Sequence, residues 1–390
     1  MTDRLYYRDA YLREFSATVV SVDAEHRHVV LDRTAFYPTS GGQPFDTGSL
    51  GATRVQDVID GDDAIVHVVE SVQGIEPGQR IDGQVDWTRR FDYMQQHTGQ
   101  HLLSALCADA YGWPTTSVHF GDAYCTVDVA APGIDSATLR AIETRANSII
   151  TSNRDVTVSF EDAATATGLR KPSDRDGELR IVTIEGIDRS ACGGTHVGRT
   201  GEIGPMLLRR VEKSKGATRI EFLCGARAVA RASLDADLLS RSSRSLSASP
   251  DELPGIVESL QQRLTEIERE RKRLAADLAR FEAREKWSEA TADANGVRRI
   301  RLDVQGGAAK DAEPMVHALL GLGGCIVLAV GHKPWGVMLA SAADTGFDAG
   351  AILKPALAGV GGRGGGSPRI AQGSVADEDG ARAVASALGF

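Results

Sequence analysis

The sequence predicts a multidomain chain of mixed class, α+β in its earlier part and α/β at its end, on three observations. Short apolar or alternating runs crowd the first 88 residues, separated by Gly, Asp and Pro breaks. Helical and strand-like periods then mix up to about residue 240. A serine-rich joint follows, then a four-three apolar rhythm, then alternating strands and helices to the end. The expected divisions are a small β-barrel-like domain over 1–88 and a mixed α+β domain over 89–240. The joint and a long helical segment occupy 241–294, and a C-terminal α/β domain occupies 295–390.

Each element has its own reason. SATVVSVD, HVVLDRTAFY, RVQDVID, AIVHVVE and RIDGQVDW read as strands at the regular spacing of a small barrel or sandwich. The spacing beyond them predicts a helix from Tyr93 to Tyr111, strands near Cys125–Val129 and Val156–Phe160, and a helix from Ser136 to Asn153 between those strands. A further strand pair is expected at Leu207–Val211 and Thr218–Cys224. After SRSSRSLSASP at 240–250, apolar residues fall at 253, 257, 260, 264, 267, 274, 278 and 281, with Arg271 out of place. That spacing marks a coiled coil, as a helical hairpin or an intersubunit coil, against the alternative of an amphipathic helix packed on its own domain. Ser249 and Glu252 suit a capping box with Pro250 at the first helical position, while Pro254 shifts the start a turn later. RRIRLDV, CIVLAVG and WGVMLASA read as strands, with helices over Glu313–Leu322, Ala349–Gly359 and Asp377–Leu388.

Composition bounds the function. With 42% apolar and 25% charged residues the chain can build real cores and an ordinary polar surface. Five scattered cysteines without a CxxC pair fit a reducing cytosol and no disulfide framework. The charged start MTDRLYYRDAYL lacks a signal peptide's apolar stretch, and no run approaches the ~20 residues of a membrane span. A cytoplasmic protein without a membrane partner is expected. The net charge of −9 argues against indiscriminate nucleic-acid binding yet leaves room for a local basic face.

Two short clusters carry the chemistry. His97 and His101 in QQHTGQHLL lie four apart, so a helix points both imidazoles the same way. Cys192 and His196 in SACGGTHVG flank glycines that let the backbone turn tightly. Three nitrogens and one thiolate make a tetrahedral shell that suits zinc, one ion per chain. Two other readings compete: a core-facing histidine pair beside an unrelated cysteine, and a Cys192 thiol nucleophile with His196 as its base, which leaves the HxxxH without a role. The glycine-rich stretch GVGGRGGGSPRIAQG at 359–373 matches GxGxxG at Gly359, Gly361 and Gly364, but after a predicted helix rather than a strand. It also lacks a GK[ST] ending. Its amides, with Arg363 and Arg369, suit phosphate oxygens; a flexible linker is the alternative.

Taken together, FYPTSGGQPFDTG, HTGQHLL, SVHFGDAYCTVDV, CGGTHVGRTGEIG and GGRGGGSPRIAQG resemble, in the same order, alanyl-tRNA editing proteins of the AlaX type. They also resemble the editing and C-terminal domains of alanyl-tRNA synthetase. The resemblance covers nearly the whole chain. It implies a hydrolase acting in trans on tRNA(Ala) mischarged with serine or glycine, with zinc held by His97, His101, Cys192 and His196. It further implies a C-terminal domain of the DHH-associated kind that holds the tRNA body; on their charge, Lys354, Arg363 and Arg369 are the candidate contacts. No Asp-His-His run occurs, which counts against a phosphoesterase. Because the chain starts at editing-like strands, the resemblance leads us to expect an editing protein rather than a full synthetase with its activation and tRNA-reading domains.

Such an editing site must accept serine and spare alanine, which an apolar pocket cannot do; a group that hydrogen-bonds the serine hydroxyl can. The resemblance places Thr39 at that position, ahead of Gly41, Gly42 and Gln43; a simple turn threonine is the alternative. Gln43 offers an amide donor and acceptor, and His119 lies in a segment resembling the pocket, with a solvated strand histidine as its other reading. A noncatalytic tRNA-binding module with a structural zinc is the competing function. Self-association through the helical segment or the C-terminal domain is the expected oligomeric contact.

Overall fold

Alternation of apolar side chains forces the first strands to curl around a shared interior. The structure is a computed structural model that describes residues 1–61, 63–172, 176–214 and 216–390. Strands β1 (Glu14–Asp23), β2 (His28–Leu31), β3 (Gly48–Leu50), β4 (Thr53–Asp60), β5 (Ile65–Val69) and β6 (Arg80–Val85) close into a barrel in the order β1-β2-β5-β4-β3-β6. Phe15, Ala17 and Val19 point inward from β1 and meet Leu31, Leu50, Val58, Ile65 and Ile81 from the others. The strand expected to run through Tyr37 stops at Leu31. Arg33–Thr34 instead pairs in parallel with Asp3–Arg4, tying the N-terminus to the barrel.

Polar side chains also enter that barrel. His67 is fully buried; its Nδ1 lies 3.0 Å from the Val29 carbonyl and its Nε2 lies 2.8 Å from Thr34 Oγ1. A carbonyl only accepts, so Nδ1 carries the proton and Nε2 accepts from the threonine hydroxyl. Both nitrogens are used in the neutral ring, and burial lowers the His67 pKa to about 4. The unfolded chain, titrating near 6.5, therefore binds more protons than the folded one between those values. Stability should fall as pH drops from about 6.5 through about 4, by up to ~3 kcal/mol from this residue. Denaturant melts across that window should show a shallower slope for His67→Gln than for wild type; equal slopes would refute the assignment.

Beyond the barrel, helix α1 (Trp87–Tyr111) is capped by Asp86, whose carboxylate accepts from the Arg89 amide. It starts six residues before the expected Tyr93 because that cap and the first turn precede the apolar stripe. The strands β7 (Thr115–Phe120) and β8 (Cys125–Val129) form one sheet with two later strands, β12 (Met206–Ser214) and β13 (Ala217–Cys224), in the order β12-β13-β8-β7. Helix α2 (Ser136–Thr151) packs with α1 over its core, while β9 (Val156–Asp162), β10 (Glu178–Ile184) and β11 (Asp188–Ala191) make a second antiparallel sheet. Gly99 allows the close approach of α1 to β13, since a β-carbon there would lie 2.3 Å from Cys224 Sγ.

The chain divides into two compact units, Met1–Ser242 and Ser243–Phe390. Helix α3 (Gly225–Leu246) absorbs the first half of the serine-rich stretch, so the joint proper is shorter than its composition suggests. Serine tolerates a helix when its neighbours supply the propensity, and Leu238, Leu239 and Leu246 do so here. Helix α4 (Leu253–Glu289) follows a single turn at Pro250–Glu252, and the Glu252 carboxylate accepts from both the amide and the hydroxyl of Ser249. Pro254 falls in the first turn of α4 and does not delay it.

In the second unit β14 (Arg298–Val304), β15 (Cys325–His332) and β16 (Trp335–Ser341) join β17 (Arg363–Gly366) and β18 (Ile370–Ser374) in the order β14-β15-β16-β18-β17. Helix α5 (Glu313–Leu322) covers one face; α6 (Ala349–Ala358) and α7 (Glu378–Ala387) cover the other. CIVLAV is apolar throughout because residues 325, 327 and 329 serve one face and 326, 328 and 330 the opposite one. The stretch 359–373 is thus a hairpin, not the expected loop. Its glycines let the ribbon lie against α6 and against itself: a β-carbon at Gly373 would lie 2.2 Å from Leu357, and one at Gly364 2.4 Å from the Gln372 carbonyl. Among the described residues no helix is long and apolar enough to cross a membrane.

Candidate metal centre

Helix α1 carries His97 and His101 on the stripe that also buries Arg90 and Met94, at intervals of four, three and four. Cys192 and His196 arrive on the loop after β11. All four side chains converge, their ligand atoms lying within 4.8 Å of one another. Cys192 Sγ is 3.5 Å from His97 Nε2 and 3.4 Å from His196 Nε2. A tetrahedral shell with bonds of about 2.05 Å to nitrogen and 2.3 Å to sulfur sets those atoms about 3.5 Å apart. The donor set and its spacing fit a metal ion of zinc's size and softness. Gly194 is required by the crowding, since a β-carbon there would sit 2.2 Å from the His97 ring.

The other nitrogen of each ring decides whether Nε2 is a ligand. Gln43 is fully buried, and its Oε1 accepts from the Thr195 amide at 3.2 Å, which fixes the orientation of the side-chain amide. That same oxygen lies 2.7 Å from His97 Nδ1, so Nδ1 must donate and Nε2 holds the lone pair. His101 Nδ1 donates to Asp188 at 2.8 Å, a carboxylate also held by Arg170 at 2.6 Å. Thr98 gives its proton to the Met94 carbonyl, leaving its oxygen to accept from His196 Nδ1 at 3.2 Å. With each Nδ1 engaged, Nε2 is the atom that all three imidazoles turn toward one point, free to bind an ion once any proton there is displaced.

The same contacts set the charges of the ion-free site, where His101 favours its charged form and an ion would displace that proton. Burial alone would raise the Cys192 thiol, but the His97 and His196 rings and the hydrogen bonds from His101 and His196 hold it well below its ordinary value. Burial pushes His196 down to about 3. At His101 burial is outweighed by Asp188 and the Cys192 sulfur, which raise it to about 9. Asp188 itself, despite burial, is drawn down to about 2 by His101 and Arg170.

The sequence-predicted pocket residues separate into groups. Gly41 and Gly42, with φ of 57° and 85°, form the centre of a tight turn closed by Ser40 and Gln43 in both directions, at 3.1 and 2.9 Å. The turn lies near β7, where a β-carbon on Gly42 would sit 3.5 Å from Phe120. Thr39 is exposed beside this turn; its hydroxyl accepts from the Phe45 amide at 3.2 Å and keeps its own proton. Gln43 is drawn to the quartet, its amide engaged by His97 and Thr195. His119 is not brought to the quartet. Phe120 faces His97 at 5.1 Å between ring centroids, so strand alternation turns the neighbouring His119 to the opposite face. Lys354, Arg363 and Arg369 are exposed in the second unit, on α6 and the β17–β18 hairpin.

Sequence reasoning missed the anchors. Asp188 and Thr98 orient ligands, and Arg90, with no exposed surface, joins α1 to the loop that holds Gln43 through Asp46 and the carbonyls of Ala10 and Ala35. The signal for Arg90 was its place on the same helical stripe as the two histidines. Replacing Gln43 by Leu should orphan two buried donors and weaken metal affinity about 10–100-fold. Competition with a chromogenic chelator measures it; wild-type affinity would show that Gln43 does not orient His97.

Residues 179–221 match the family described as the threonyl and alanyl tRNA synthetase second additional domain, and residues 9–89 match tRNA synthetases class II (A). The chain is 30% identical to the alanyl-tRNA editing protein AlaX-L of Pyrococcus horikoshii, over 96% of this chain and 95% of that protein. It is 34% identical to the alanyl-tRNA editing protein Aarsd1 of Mus musculus, over 57% of this chain and 59% of that one. It is also 31% identical to the alanine-tRNA ligase of Pyrococcus abyssi, spanning 96% of this chain but only 42% of the ligase. Matched from end to end with AlaX-L, and carrying the converged quartet in the region shared with the synthetases, the chain belongs to the alanyl-tRNA editing protein family.

Proposed function

We propose that the chain is an aminoacyl-tRNA deacylase that acts in trans, hydrolysing the 3′ ester of tRNA(Ala) mischarged chiefly with serine and secondarily with glycine. The observation that supports this reading is the set of four preoriented ligand atoms in a member of the editing family. His97, His101, Cys192 and His196 would hold one zinc ion, which when bound polarises a carbonyl or acidifies a water. The chain's own part is positioning. An aminoacyl ester is already activated, so placing it beside fixed donors supplies much of the rate. Gln43, Asp188 and Thr98 keep the rings from turning as substrate enters. Thr39 has a hydroxyl proton to offer the serine side chain, while alanine leaves it unpaired. The exposed Gly41-Gly42 turn is assigned to the 3′ end. The second unit, read as a DHH-associated domain, is assigned to the tRNA body through Lys354, Arg363 and Arg369.

A noncatalytic tRNA-binding module with a structural zinc is favoured by one feature, the four protein ligands, which ordinarily close a shell. Deacylation of Ser-, Gly- and Ala-tRNA(Ala), measured side by side with and without a chelator, separates the two. Turnover of the serine ester, sparing of alanine and arrest by the chelator are expected. Binding without turnover would leave the structural module. In the same assay Thr39→Val should cut discrimination between the serine and alanine esters by about tenfold. An unchanged ratio would place hydroxyl recognition elsewhere.

A further inference from the structure

Strand β9 is an edge of the second sheet, and Phe160 on it is left 45% exposed. Its neighbours across the sheet lead to the metal centre. Phe160 pairs with Arg180 on β10. The Cys192 amide donates to the Arg180 carbonyl at 3.0 Å, one step beyond the pair of Ile181 and Ala191. Residues directly opposite one another share a face of the sheet. Phe160, Arg180 and Cys192 therefore make one cross-strand row, running from solvent to the sulfur of the quartet. The row lies on the face turned to α1, because Asp188, an even number of residues before Cys192, reaches His101 from it.

Arg180 is a fixed floor between the two ends. It is buried, its Nε donates to the Tyr7 carbonyl at 2.9 Å, and its Nη1 donates to the Cys192 carbonyl at 2.6 Å. So held, it does not swing over the Phe160 ring. Val158, two residues before Phe160 on the same face and also exposed, extends the ring into a small apolar shelf. Strands lie about 4.8 Å apart, which sets Phe160 about 10 Å from Cys192. That is the reach from a 3′ ester at the metal centre, across one ribose above Arg180, to the base that the ribose carries. Resting on the reading of the chain as an aminoacyl-tRNA deacylase, we propose that Phe160 is the platform on which the terminal adenine of the tRNA stacks. The shelf is far too small for a protein partner, while one ring matches one base in size. Stacking there aligns the 3′ end without reading the rest of the tRNA, so a minimal aminoacyl nucleoside is recognised by the same contact.

The probe is a hydrolysis-resistant 3′-serylamido-3′-deoxynucleoside whose base is 2-aminopurine, which loses fluorescence when it stacks. Titrated with the full chain as purified, it should be quenched. Phe160→Ala should bind it about 10–100-fold more weakly, the worth of one base stacked on an aromatic ring. Phe160→Trp should restore both affinity and quenching. Because the side chain is exposed, metal content and circular dichroism should be the same in all three proteins. The same serylamido ribose without a base should bind wild type and Phe160→Ala alike. Wild-type affinity in Phe160→Ala, or an equal loss for the baseless analogue, would overturn the platform. Parallel deacylation of Ser-tRNA(Ala) keeps the two readings apart. Quenching by a chain that never cleaves the ester would retain the platform and remove the deacylase. Cleavage by wild type, with base binding indifferent to Phe160, would retain the deacylase and remove the platform.

Discussion

Replacing Cys192 by Ala should strip the metal from the protein. The sulfur is the one soft ligand, and the imidazoles around it hold its thiol well below its ordinary value despite burial. Structural zinc in zinc-finger peptides is worth about 10–16 kcal/mol at neutral pH. Shared over four ligands, that is roughly 2.5–4 kcal/mol each, a loss of about two to three powers of ten in affinity. Elemental analysis after dialysis against a weak chelator should find about one ion per wild-type chain and little in the variant. Full retention by the variant would put the ion somewhere other than this quartet.

Arg90→Ala should cost comparable energy without touching a ligand. Arg90 and Asp46 are 0% and 1% exposed, and the arginine also satisfies the carbonyls of Ala10 and Ala35. Removing one partner of such a pair strands a buried charge, at about 3–5 kcal/mol. Asp46 additionally accepts from the Tyr37 amide at 2.6 Å, so the loop that places Gln43 loses its tie to α1. Combining Arg90→Met with Asp46→Leu should recover only part of the loss, since the Tyr37 amide and the two carbonyls stay orphaned. Denaturant unfolding of the three variants measures this. A loss below ~1 kcal/mol in Arg90→Ala would mean that water reaches the pair.

What could be read in the sequence was what lies in short range. The quartet is two local patterns, HxxxH on a helix and CxxxH around glycines, and each keeps its meaning without knowledge of the fold. The barrel strands and the two-faced CIVLAV strand follow from apolar period alone. The anchors do not. Asp188 meets His101 across 87 positions and Gln43 meets His97 across 54, distances at which no periodicity speaks. The hairpin at 363–374 was misread because glycine marks a break in most contexts, whereas here it answers a helix packed directly on the ribbon. Where His119 stands could not be read either, since it follows from the inward face of Phe120, from which alternation turns its neighbour away.

Gln43 stands on the loop between β2 and β3 of the barrel, and the ring it steers stands on α1. Metal occupancy and the seating of that loop are therefore two legs of a single thermodynamic cycle. Whatever free energy a seated loop adds to metal binding, the bound metal returns by holding the loop in place, to the last calorie. A β-barrel that touches no metal thus becomes a sensor of whether one is present.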